Sequence, residues 1–444
     1  MPLHQTLLEI DDLHQFSDTS TFTQNIPVEW IESALTLTSK AMIRRRRLPS
    51  DQVLWLVIGM ALFREENIGE VARRLNICSQ DLAGESLLAK SGVSNARQRL
   101  GSEPLQWLFE KTGNHWGQER YTDDDWNGLQ VMAIDGALFR TQDTPELREH
   151  FGSGNTSTAR QTPYPVMRMV ALMNARSHLI LDAEIAPYRS SEIRLAEGII
   201  NKIPNHSITL LDKGFWSADL LISLQESGPA KHWMVPARKN AVYEEIERYN
   251  EQDRLVQMKV SPQARKRNPS LPETWQVRAV SYEVNGTEKT VFTSLPYAQY
   301  PTDQLVNLYH ERWEIELGFR DIKSSMLNNA MTLRSKKVDL VYQEAWGILL
   351  AYNVIRREAS QAAEAFERLP SDISFKAAYG VIASELIIMA GADSTSKTGR
   401  RLGDLRSGVA SLCIKSKPRP SRPRMVKMSK TRYPINKKAA PLKP

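Results

Sequence analysis

Within YHERWEIELGFRDIK, Tyr309, Arg312, Glu316 and Lys323 follow one another at spacings of three, four and seven residues. Wound as a helix at about 100° per residue, they fall within about one sixth of the circumference. Leu308, Ile315, Phe319, Ile322 and Met326 border this stripe on one side, and Val306, Trp313 and Leu317 on the other. Glu311, Glu314, Asp321, Asn307 and Ser325 collect elsewhere, on what reads as the solvent face. A polar stripe between two apolar borders belongs in a cleft, where a carboxylate needs partners or a ligand to offset its desolvation. The plainest use of the set is a structural Glu316–Arg312 pair at i, i+4.

Two further carboxylates add a chemical use. Asp135 is the one charged residue in VMAIDGALF, and Asp212 closes the apolar run ITLLD before Lys213-Gly214. An Asp within or at the end of an apolar strand is either a turn or capping residue or a ligand group at the edge of an α/β sheet. Three carboxylates that converge repel one another unless a cation joins them, and oxygen-only ligands suit a hard ion such as Mg²⁺ or Mn²⁺. An Asp-x-Asp phosphatase start is excluded because position 137 is Ala. Asp123, Asp124 and Asp125 read as a solvated loop, and Asp182 and Glu184, alternating with Leu181 and Ala183, as the exposed face of a strand.

The elements that must position these groups are legible from periodicity. LQVMAIDGALFR (129–140), PVMRMVALM (165–173) and HLILDAEI (178–185) read as strands, the last two forming a hairpin through NARS. SEIRLAEGIINKI reads as a helix, ITLLDKG as a short buried strand and WSADLLISLQES as a helix, an order that suggests an α/β layered domain. Residues 230–300 hold polar strands separated by Asn-, Gly- and Pro-rich turns, as in an inserted β subdomain. Helical patterning returns at Thr302. Before residue 120 the pattern is helical: LPSDQVLWLVIGMALF follows Arg44 to Arg47, and IGEVARRLNI and VSNARQRLG are basic and amphipathic, the second with Ser94 as its expected N-cap. Those two suit a DNA-reading module or a bundle with arginines on its outer face.

Composition bounds the function. The 444 residues carry 58 Lys and Arg against 51 Asp and Glu, a net charge of +7 that favours a polyanionic partner. Two cysteines, Cys78 and Cys413, are too few for a zinc cluster or a disulfide framework and suit a reducing compartment. The longest apolar runs fall short of the roughly 20 residues that cross a bilayer, and MPLHQTLLEIDD lacks the pattern of a signal peptide, so a cytoplasmic protein is expected. After Ile414 basic residues recur among prolines without an acid, as in a disordered phosphate-binding arm or a solubilising end.

These motifs resemble those of the bacterial DDE transposases of the insertion sequence 4 family. That family's signature around its catalytic Glu is Tyr-x2-Arg-x3-Glu-x6-Lys, and Tyr309, Arg312, Glu316 and Lys323 fill all four positions. The Asp135 of AIDGALFR and the Asp212 of LLDKGFW match the family's other two motifs, and the resemblance covers roughly residues 125 to 360. It implies an α/β chain with a ribonuclease-H-like catalytic core interrupted by a β insertion. The core would occupy 123–216 and 302–394 around an insertion at 217–301, with a helical DNA-binding domain at 1–122 and a basic tail at 395–444. Asp135, Asp212 and Glu316 would be catalytic and would hold two Mg²⁺ ions, for which Mn²⁺ can substitute. Tyr309, Arg312 and Lys323 would contact DNA near the cut.

The activity implied is cut-and-paste transposition: hydrolytic nicking at the ends of an insertion sequence, release, and strand transfer into target DNA. Partners would be double-stranded DNA, both terminal inverted repeats and target, and a second copy of the chain in a homodimer on the nucleoid. Some relatives prop a flipped base on a Trp just before the last strand of the insertion; here Lys289 and Thr290 stand in that place. The competing reading is a DNA-binding or regulatory descendant that no longer cuts, against which the intact Asp135, Asp212 and Glu316 argue.

Overall fold

LQVMAIDGALFR offers apolar side chains to both faces of a strand, and in the computed structural model it forms the strand around which the sheet is built. The structure describes residues 25–41, 48–75, 77, 90–121, 124–154, 164–238, 241–284, 286–329, 332–390 and 398–413. Arg44 to Arg47, Cys78 and the basic segment 414–444 lie outside the described residues. The strands are β1 (Asp125–Trp126), β2 (Leu129–Arg140), β3 (Val166–Asn174), β4 (Ile180–Pro187), β5 (Ser207–Leu211), β6 (Lys231–Pro236), β7 (Glu244–Arg248), β8 (Asp253–Lys259), β9 (Thr274–Val284) and β10 (Thr287–Thr293). They make one ten-stranded mixed sheet in the order β4-β3-β2-β5-β6-β10-β9-β8-β7, with β1 paired to β2 off that path.

β2 is antiparallel to β3 and parallel to β5, and β5 is parallel to β6. β10 then adds antiparallel to β6, so the polar strands after residue 240 continue the same sheet as a meander. Arg278 and Asp253 lock that meander from inside. Both are buried, and the guanidinium gives Asp253 three hydrogen bonds of 2.6–3.0 Å.

Helices α1 (Val28–Leu37), α2 (Ser50–Leu62), α3 (Ile68–Arg74), α4 (Lys90–Leu100) and α5 (Glu103–Trp116) precede the sheet. They are followed by α6 (Pro145–Phe151), α7 (Glu192–Ile199), α8 (Ala218–Glu226), α9 (Pro262–Arg267), α10 (Thr302–His310) and α11 (Trp313–Arg320). Last come α12 (Val338–Ala365), α13 (Phe375–Ala390) and α14 (Thr398–Ala410). α12 is buried almost all round, its polar Gln343, Glu344, Asn353, Arg356, Arg357 and Glu358 included, as only a helix enclosed by others can be. It runs through one hydrophobic core shared by α2, α5, α14 and one face of β2 and β3. α7 and α8 cover the other face in a second core.

This enclosure changes three sequence expectations. α4 begins at Lys90, so Ser94 lies inside it and is not its cap. Arg97 points neither to solvent nor outward to DNA: it is buried and donates to Gln343 Oε1 of α12 at 2.8 Å. Nearby, Glu344 accepts from Arg64 Nη1 at 2.7 Å and from the backbone N–H groups of Arg334 and Ser335 at 2.9 Å. The chain after residue 395 also opens as a helix, α14, whose Leu405 and Val409 are buried.

Two acidic residues assigned to solvent are buried. Asp124 is 3% exposed and accepts from Asn174 Nδ2 at 3.1 Å. Asp182 is 7% exposed, because α5 and α7 cover β4. Burial pushes its carboxyl up to about 7, with Glu110 and Glu184 adding to the rise. A carboxyl raised in this way supports the fold fully below about pH 4, where the unfolded chain is also protonated, and loses that support as pH rises through about 7. Asp182→Asn should match the wild type in urea unfolding at pH 4 and exceed it by on the order of 3 kcal/mol at pH 8. Equal stability at both pH values would mean that Asp182 is solvated.

Candidate active site

The last paired residues of β2 and β5 are Ile134 and Leu211, and the next residue on each parallel strand is an aspartate. Asp135 and Asp212 thus leave adjacent strands side by side. Asp135 shares its face of β2 with Ala133, Ala137 and Phe139, which pack in the same core as Ile315 and Phe319 of α11. That packing brings Glu316 of α11 over the two aspartates. All three line one open cavity of about 730 Å³, together with Lys323 and Glu192.

Each carboxylate has a local anchor. Asp135 accepts from the Gly136 N–H at 2.8 Å, and Asp212 from the Gly214 N–H at 2.6 Å, capping a single 3₁₀ turn. Glu316 accepts from Arg312 Nη2 at 2.8 Å, so the i, i+4 pair suggested by spacing is formed. Burial pushes Asp135 up to about 6; the neighbouring charges of Asp212 and Glu316 reinforce this, and Arg312 opposes it. The cleft is short of positive charge at its acidic end.

The continuous helix expected over 309–323 is broken. α10 ends at His310, a tight turn carries Glu311 and Arg312, α11 starts at Trp313, and Asp321–Met326 follow as a π-helix. The side assigned to solvent is in fact tied down. Glu311 accepts twice from Arg176, at 3.0 and 3.1 Å, Glu314 pairs with His178 at 2.8 Å, and Asp321 pairs with Arg356 at 2.5 Å. These partners come from the β3–β4 turn and α12, and the i to i+4 wheel could not foresee them. Trp313, assigned to an apolar flank, is 55% exposed with the Arg312 guanidinium 5.2 Å from its ring centre.

The motif residues therefore divide. Glu316 and Lys323 line the cavity, and the Lys323 ammonium lies 5.3 Å over Phe139 and 5.8 Å over Phe319. Arg312 reaches the cavity through Glu316. Tyr309 stands behind it, half-buried, donating its hydroxyl to the Leu211 carbonyl at 3.2 Å, one residue before Asp212. Burial raises the Tyr309 phenol above its ordinary range, so it stays a donor. Trp233 and Trp275 join Trp216 and Phe292 in an aromatic cluster, with both Trp233 and Trp275 buried.

The carboxylates suit a hard divalent cation. They supply oxygen alone, and the charges of Asp212 and Glu316 add to the rise that burial gives Asp135, a repulsion that a cation would relieve. Among the described residues no three acidic, histidine or cysteine side chains stand close enough to hold an ion as they are placed. Glu316 is engaged with Arg312.

Comparison with known proteins agrees with this arrangement. Residues 126–354 match the family described as "Transposase DDE domain", and residues 17–110 match "Insertion element 4 transposase N-terminal". The chain is 51% identical over 249 residues to the "Putative transposase InsZ" of Escherichia coli, covering 56% of this chain and 82% of that protein. It is 39% identical over 314 residues to "Transposase InsG for insertion sequence element IS4" of the same organism, covering 70% of each. A cryo-EM structure of a piggyBac transposase synaptic complex with hairpin DNA aligns at 12% identity and a TM-score of 0.41, covering 91% of this chain and 87% of that one, a likeness too loose to bear on fold. A domain match over half the chain, beside a second match to the family's N-terminal region, places the protein in the insertion sequence 4 family of DDE transposases: it is a DNA transposase, a metal-dependent enzyme that cuts and joins DNA.

Proposed function

We propose that this transposase nicks DNA at the ends of its insertion sequence and then transfers the freed 3′ ends into target DNA, with Asp135, Asp212 and Glu316 as the catalytic acids. The observation that carries the reading is that Asp135 and Asp212 occupy the positions just past the last β2–β5 pair and share one cavity with Glu316. The central strands, β3 and β4 antiparallel beside β2 and β5 and β6 parallel, support a ribonuclease-H-like core. Mg²⁺ is the ion we assign, with Mn²⁺ as a substitute, held by those three acids. Divalent ions held there would supply positive charge to the scissile phosphate and lower the pKa of the attacking hydroxyl.

The remaining work falls to the chain. Asp135 and Asp212 are fixed by the backbone N–H groups they accept from, so they need little reorganisation. Tyr309 braces the end of β5 and holds Asp212 in register. Lys323 faces the cavity and meets the phosphate strand. Arg312 serves Glu316 in the free protein; a DNA phosphate would compete for it as a bidentate partner and leave Glu316 free to join Asp135 and Asp212 in holding the ion. Two DNA ends are paired by two copies of the chain.

The test uses purified protein, DNA bearing the element's own ends, and Mg²⁺. Wild type should leave 3′-hydroxyl nicks at the element boundary, and Glu316→Gln should leave none. Equal cleavage by both proteins would remove Glu316 from the catalytic set.

A further inference from the structure

We propose that Arg176 and His178, on the β3–β4 turn, are positioning residues for Glu316: through Glu311 and Glu314 they fix the rotation of α11, and so the side it turns to the cleft. The inference rests on Glu316 being a catalytic acid. Because the chain breaks at Glu311 and Arg312, α11 does not take its rotation from α10. Ile315 and Phe319 seat α11 in the core it shares with β2, but apolar packing has no direction, whereas hydrogen bonds do. Glu314 and Glu316 are two residues apart, about 200° around a helix. A bond that holds Glu314 on the far side therefore aims Glu316 at the cavity it lines.

The turn is a stiff frame for those bonds. Asn174 accepts from the N–H groups of Arg176 and Ser177 at 2.8 and 2.9 Å. Asn353 of α12 exchanges two hydrogen bonds with the backbone of Ile180, just past the turn, at 2.9 and 2.6 Å. From this frame Arg176 makes its paired bonds to Glu311 and a third to the Asp125 carbonyl at 2.9 Å. His178 Nε2 meets Glu314 Oε2 at 2.8 Å. Burial and the nearby Arg356 charge hold the imidazole below its ordinary range, so a neutral ring donates its Nε2–H to the carboxylate. That bond is kept at a cost. His178 is buried with φ at 62°, in the left-handed region, and its Nδ1 has no hydrogen-bond partner among the described residues. A turn that only reversed the chain would be better served by Asn or Gly. Backbone strain and an orphaned polar atom gather where geometry serves function.

The experiment follows cleavage of DNA bearing the element's own ends by the full-length protein with Mg²⁺ under single turnover, reading rate constant, amplitude and half-saturating DNA concentration separately. His178→Gly relaxes the left-handed backbone but removes the donor, and should lower the rate constant about ten- to a hundredfold at an unchanged half-saturating concentration. Glu314→Ala, at a half-buried position, should lower it as much, and the double variant no further. His178→Gln, whose amide nitrogen reaches about as far as Nε2, should restore most of the rate. A role in folding alone would reduce the fraction of active protein, and so the amplitude, without touching the rate constant. An intact rate constant in His178→Gly and Glu314→Ala, beside an inactive Glu316→Gln, would therefore overturn the proposal. Losses that multiply in the double variant would do the same, as would a rise in half-saturating DNA that accounts for the lost rate. A wild-type rate in Glu316→Gln would instead remove the catalytic assignment beneath it.

Discussion

Asp135→Asn abolishes DNA cleavage and, in the same protein, raises resistance to unfolding in metal-free buffer: this pair of opposite changes is the expected result. The loss follows from charge. An amide oxygen carries no charge and is a far weaker ligand for a divalent cation shared with Asp212 and Glu316, and the several kcal/mol of charge stabilisation the ion would supply correspond to about a thousandfold or more in rate. The gain follows from the same carboxylate, which burial, Asp212 and Glu316 hold up at about 6. A folded value above the unfolded one means that stability is complete below about pH 4 and lost as pH rises through about 6. After discounting for partial exposure, the variant should be more stable than wild type by about 1–2 kcal/mol at pH 8, and no different at pH 4. Adding Mg²⁺ should close the gap by binding the folded wild type. Urea unfolding at both pH values, with and without Mg²⁺, checks this. A variant that is inactive yet no more stable at pH 8 would mean that neither burial nor the neighbouring acids hold the Asp135 carboxyl up.

The second large effect lies outside the cleft. Asp253 is fully buried, accepts from Arg278 through Nε and Nη2, and accepts from Thr302 Oγ1 at 2.6 Å. Arg278 also donates to the Tyr300 carbonyl at 2.9 Å. This one network joins β8, β9 and the start of α10, the helix that carries Tyr309. Asp253→Ala leaves the guanidinium buried without its counter-charge, and should destabilise the protein by about 3–5 kcal/mol. Replacing both partners with apolar residues of similar volume should recover much of that loss. Chemical denaturation of the single and double variants checks both statements. A loss below about 1 kcal/mol in Asp253→Ala would place the pair in solvent.

What was legible in the sequence follows the range of the signal. Strand and helix periods are local, so β2, β3, β4, β5 and α12 could be read from alternation and apolar runs. Asp135 and Asp212 stood out because each interrupts or ends an apolar strand, and the parallel β2–β5 register then sets them side by side. The break at Glu311 and Arg312 was not legible, because it depends on Arg176 reaching across from the β3–β4 turn, 135 residues away in the chain. For the same reason Glu314, Asp182 and Asp124 looked like surface residues: the groups that cover them lie far off in sequence. Glu192 offered no signal beyond opening a helix, and it meets the cleft only because α7 packs on β3 and β4.

The long buried helix α12 has a consequence for synthesis on the ribosome. Arg97 finds its acceptor in Gln343, Arg64 its counter-ion in Glu344, and Asn25 its acceptor in Glu358. Asn25, Arg64 and Arg97 therefore emerge from the exit tunnel without these partners, which follow more than two hundred residues later. A fragment that stops ahead of α12 lacks all three of these partners and the helix against which α2 and α5 pack.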